Sequence, residues 1–334
     1  MRKTGAITKT ILLVASILVS GLAAAQTALA GPHSISNDEE DRNYAVRGVD
    51  MMMDGDLDGA LAVFQQIEQK DPDSPVGYVL ETDVTWWKIY YFTADLIDPD
   101  VFDVANMDAT PYDSHFDDID KVAIHKAEAR IHLRQDLARN DLYEGYAYAL
   151  RARLDGLHDR DLATARAAKK MRVLLLQALD LDPSLADAYL GIGIYNYFVD
   201  TLPGIVKFLS MFIGLPSGSR TEGLRQLQVC ADKGELGRPE AKFYLAKDFT
   251  RANEKQWEKS ARLFGELQRE FPHNPLWLML QGSVDYRMGR SQKGEEIYRE
   301  VYQRTAKKNS EVSKAVHRAT GRALERQHPE QKFP

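Results

Sequence analysis

The sequence predicts an all-α solenoid of about five helix–turn–helix pairs, and three observations lead there. Strand signals are nearly absent, with no alternating Val/Ile/Thr runs bounded by tight glycine turns. Helical segments recur instead, and they end at Pro72, Pro183 and Pro272, each preceded by Asp or Phe. Their spacing fits a unit of about 34 residues in four places.

The N-terminus comes first. Arg2, Lys3 and Lys9 make a basic start, residues 11–25 form an uncharged apolar run, and Ala28-Leu29-Ala30 offers small residues where a signal peptidase reads. Residues 1–30 are therefore expected to be an export signal. That places the protein in the periplasm or cell envelope of a bacterium, with residues 31–40 as a disordered linker. The apolar run is shorter than the roughly 20 residues a bilayer span needs. The chain holds 43 basic and 49 acidic residues, a net charge of −6. Three of the basic and none of the acidic residues lie in 1–30, so the exported chain would carry −9. That balance argues against nucleic acid as a partner, because phosphates require a basic patch. Cys230 is the single cysteine, so packing must hold the fold without an internal disulfide. At 44% hydrophobic residues the chain can bury a sizeable core.

The repeating domain is expected over 41–326, with a flexible tail at 327–334. In the first unit, 41–74, Tyr44, Gly48 and Met51 share a face, an Asp54-Gly55-Asp56 turn follows, and Ala60, Phe64, Ile67 and Pro72 mark the second helix. A small residue allows two helices to cross closely, and an aromatic fills the gap one turn later. Proline then ends the helix, since it lacks an N–H and clashes with the preceding turn. The register carried past Pro183 predicts an aromatic at 189 and a glycine at 193, where Tyr189 and Gly193 stand. Ser260, Phe264 and Leu267 mark the unit ending at Pro272, and beyond it Leu278, Gly282, Gly294 and Tyr298 keep the phase. A charged helix over 311–326 is expected to cap the last apolar face. This pattern resembles the tetratricopeptide repeat over most of 41–74 and 141–306.

Two segments interrupt the repeats. An acidic loop is expected at 94–120, where Pro99 and Pro111 oppose helix formation and nine aspartates crowd together. Carboxylates at that density suit a hard cation, but no calcium-loop spacing occurs among them. The second interruption, at 204–216, is expected to be an inserted apolar helix that includes Phe208 and Phe212. It is too short to span a bilayer, and it is read as a plug between layers or as a membrane-leaning element. Around it, Leu202-Pro203, Gly214, Arg220, Gly223-Leu224 and Leu227 resemble the central stretch of a eukaryotic tetratricopeptide family linked to inclusion-body clearance. The resemblance runs over 193–234 and implies a shared fold with a packed arginine turn. It implies no catalytic residues. Gly204 replaces that family's second proline, and Gly218-Ser219 replaces its small acidic pair.

Chemistry-bearing motifs are sparse. His125, Glu128 and His132 share a helix face and are weak metal candidates, since known zinc helices pair histidines four apart and these lie seven apart. Cys230 falls in phase with Gly223 and Leu227, as a buried structural cysteine would. No nucleophile elbow, phosphate loop or dinucleotide fingerprint is present. No cofactor and no catalytic residue are expected. First helices of such solenoids line a concave groove, whose inward positions include Asn196, Tyr197, Phe198, Lys242, Met279 and Tyr286. The function expected is a non-catalytic adaptor gripping protein or peptide segments there. The alternative is a peripheral membrane or lipid-handling protein using residues 205–215. A third reading is a hydrolase or metal enzyme built around 115–136.

Overall fold

The computed structural model describes residues 35–93, 96–97, 108–201 and 214–333. The expected export signal, most of the insert 204–216 with Phe208 and Phe212, and much of the acidic stretch lie outside the described residues. By its internal contacts the chain divides into Met1–Asn43 and Tyr44–Pro334. Of the first unit only 35–43 is described, as helix, and the second carries everything below.

Among the described residues the secondary structure is entirely helical. The helices are α1 Ile35–Met53, α2 Leu57–Lys70, α3 Pro75–Thr93, α4 Asp113–His132 and α5 Leu137–Leu157. Next come α6 Asp161–Leu181, α7 Ala188–Thr201, α8 Arg220–Lys233 and α9 Arg238–Phe249. The chain ends with α10 Trp257–Glu270, α11 Pro275–Arg287, α12 Ser291–Thr305 and α13 Glu311–Gln327. Local chemistry sets their starts. Asp56, Ser219, Asn274 and Ser310 cap exposed N–H groups with side-chain oxygens, and proline occupies the first turn of α9 and α11. From α2 onward each helix packs on the next, while α3 also meets α5 and α13.

Glycines stand where helices cross most closely. A Cβ on Gly193 would lie 2.9 Å from Leu227 Cγ and 3.0 Å from the Gly223 carbonyl, so α7 and α8 touch backbone to backbone. On Gly282 it would meet Ile297 at 2.8 Å, which fixes how near α11 and α12 approach. Both positions are those the repeat spacing singles out.

The acidic stretch is corrected by the structure over its last residues. Asp113, Asp117, Asp118 and Asp120 lie on α4, not in a loop. Pro111 precedes the helix and so does not oppose it. Asp120 is fully buried and accepts two hydrogen bonds from Arg151 of α5, at 2.9 and 2.6 Å, while Asp117 takes a third.

The main feature of the core is α3. Fourteen of its 19 residues are buried, on every side of the helix. A helix apolar all round must be enclosed. Trp87 packs at 5.4 Å from Phe243 and 6.2 Å from Trp277, and Tyr90 at 5.9 Å from Phe243. Asn274 ties the same region together by donating to the Tyr91 hydroxyl at 3.0 Å and the Met53 carbonyl at 2.8 Å. Trp277 Nε1 donates to that carbonyl as well, at 3.0 Å.

Candidate functional site

Of the six inner positions named from sequence, three are buried and three are half-buried. Tyr197 and Met279 are fully buried, and Asn196 is buried with its amide donating to Gln226 at 2.8 Å. Phe198 is half-buried under Arg251, 4.9 Å from its ring centre. Lys242 pairs with Glu270 at 2.8 Å, and the half-buried Tyr286 donates to Gln327. Tyr197, Met279 and Asn196 are therefore corrected as open-groove residues, since their side chains pack within the molecule, while Phe198, Lys242 and Tyr286 are half-buried.

What α3 brings inside is charge. Arg153 of α5 ion-pairs with Glu240 of α9 at 2.5 Å, both nearly enclosed. Its guanidinium stacks 5.0 Å from the Tyr244 ring and 6.0 Å from Trp86. Asp83 of α3 joins them beside a cavity of about 30 Å³ that Tyr146, Leu190 and Gly237 also line. That volume holds roughly two water molecules. Burial, then the charge of Glu240, holds the Asp83 carboxyl well above the usual carboxylate range, against the pull of Arg153. A proton on Asp83 leaves the trio neutral, which is how a low-dielectric interior tolerates two carboxyls and one guanidinium. The arrangement positions α3 between α5 and α9.

Sequence reasoning also missed Asp187. Its carboxylate accepts the N–H groups of Glu235, Leu236 and Gly237 at 2.8, 3.3 and 2.9 Å, and so shapes the turn into α9. Cys230 sits beside it, fully buried, and burial raises its thiol well above the usual range. That suits a packing residue and not a nucleophile. Arg220 makes a packed turn: its N–H donates to Asp200 at 2.8 Å, and its guanidinium reaches the Asn253 carbonyl at 3.2 Å and Glu254 at 3.3 Å.

His125 and His132 are exposed on α4 and Glu128 is half-buried. Among the described residues no three His, Cys, Asp or Glu side chains gather closely enough to hold a metal ion. No helix among them is long and apolar enough to cross a membrane.

The outer surface is more distinctive. Four of the five large apolar side chains exposed among the described residues fall just past α4 and on α6: Leu133, Leu162, Val173 and Leu181. At the end of the insert the Pro216 carbonyl accepts the Tyr195 hydroxyl at 2.6 Å, and Leu215 packs on the small core between α5, α6 and α7.

No family model matches this chain, and no curated protein matches it.

Proposed function

We propose that this chain is a tetratricopeptide-like repeat protein of the bacterial envelope that acts as a non-catalytic adaptor for a protein or peptide partner. The spacing of Gly193 and Gly282 at close crossings supports the repeat reading. One observation carries the functional reading. Inner positions such as Tyr197 and Met279 are buried, while large apolar side chains stand exposed at Leu133, just past α4, and on α6. The partner is met on the outside, where Leu133 at the end of α4 and Leu181 at the end of α6 keep 68% and 54% of their surface.

Partner capture from envelope extract, with the full chain and with Leu133→Asp/Leu181→Asp, tests this. A discrete protein is expected on the wild type and lost from the variant at unchanged melting temperature. Retention by the variant, with loss on the half-buried Lys242→Ala at unchanged melting temperature, would return the contact to the inner face.

A second reading, peripheral attachment to a membrane, is favoured by the mixture of apolar and basic side chains exposed along α6.

A further inference from the structure

One face of α6 is spent on the core, where Ala167, Met171, Leu174, Leu175 and Ala178 are buried. On the opposite face Leu162, Arg166, Lys169, Val173 and Gln177 follow one another at helical spacing, and all five are exposed. They form a single stripe roughly 22 Å long. Leu162 and Val173 keep 50% and 44% of their surface in water. The charges between them, Arg166 and Lys169, are both positive, and the acidic Asp161 and Asp180 come only at the two ends of the helix. Neighbouring Lys170 is used differently, pairing at 3.2 Å with the buried Glu144. In a chain of net charge −6 this stripe runs against the average.

Exposed leucine and valine interleaved with long basic side chains match the boundary of a bilayer. There the apolar groups enter between headgroups, and the cations stay at phosphate level on their flexible stems. The helix itself is anchored in the fold, so docking needs no unfolding.

We infer that the Leu162–Val173 stripe of α6 docks this protein flat against an anionic phospholipid surface. The inference rests on the peripheral-membrane reading above and adds the docking face and the lipid charge.

Co-sedimentation of the full chain with vesicles of phosphatidylcholine alone, and with vesicles containing phosphatidylglycerol, tests it. The wild type is compared with Arg166→Glu/Lys169→Glu and with Leu162→Ser/Val173→Ser. All carry the same N-terminal apolar run, so differences between them report on α6. Each basic residue near a charged bilayer is worth about fivefold in affinity, so the charge variant, which reverses two of them, is expected to bind phosphatidylglycerol vesicles at least roughly 30-fold more weakly. Binding of the wild type should also fall with added salt. The serine variant is expected to lose binding too, with thermal melting by circular dichroism unchanged in both. Equal binding to both vesicle types, or binding that neither variant alters, overturns this inference and leaves the membrane reading standing. Absence of vesicle binding by the wild type overturns both and leaves the adaptor.

Discussion

Glu68 of α2 and Glu81 of α3 face each other across a helix interface, with His115 of α4 at 2.7 Å from Glu81. Tyr78, Asp73 and Lys126 complete the charged surroundings. Two carboxyls placed this way retain a proton: burial first, then the charge of Glu81, push Glu68 up to about 8. Its folded value exceeds its ordinary value of 4.5, so the folded state binds the proton more tightly than the unfolded chain does. The stabilisation this gives is complete at low pH and is lost as pH rises through about 8. Glu68→Gln carries its hydrogens at every pH. Melting temperature measured between about pH 5 and pH 9 should therefore fall less steeply in the variant, by about 2 °C over the range. Parallel profiles would show that the pair holds no shared proton. Nothing in the sequence marks these two residues, since 28% of the chain is charged and the pairing depends on how two turns fold back. The same applies to Asp83, Arg153 and Glu240, which meet across three helices.

Elements were more legible than residues because their signals are local. The proline stops, the Asp56 and Ser310 caps, and the glycines at 193 and 282 lie within a few residues of what they control. Asp113–His132 was less legible: its first turns look like loop when aspartates are counted, and become helical because Arg151 and Asp113's own neighbours take up the charge. Gly193 tests the crossing of α7 and α8. An added Cβ meets backbone at 3.0 Å, which cannot move aside as a side-chain tip could. Gly193→Ala should cost about 1–3 kcal/mol in urea unfolding, whereas the intrinsic gain of alanine over glycine in a helix is under about 1 kcal/mol. A variant as stable as the wild type would mean the two helices are farther apart than described.

At the scale of the molecule, the sequence pattern led to an open concave groove, whereas Tyr197, Met279 and Asn196 are buried and α3 is enclosed with Trp87 against Phe243 and Trp277. The reason lies in tertiary contact. Trp87 and Phe243 are 156 positions apart in the chain, and no local periodicity reports that they meet. The apolar side chains exposed at Leu133, just past α4, and on α6 are where we propose that this protein meets a partner. That shift from an inner groove to the outer surface depends on the enclosure of α3. Hydrogen exchange followed by mass spectrometry on the full chain tests it directly. If α3 is enclosed, peptides from 75–93 should exchange as slowly as those from 238–249 and 275–287, because all open only with the core. Rapid exchange in 75–93, with the other two still protected, would contradict the account and restore an accessible inner groove.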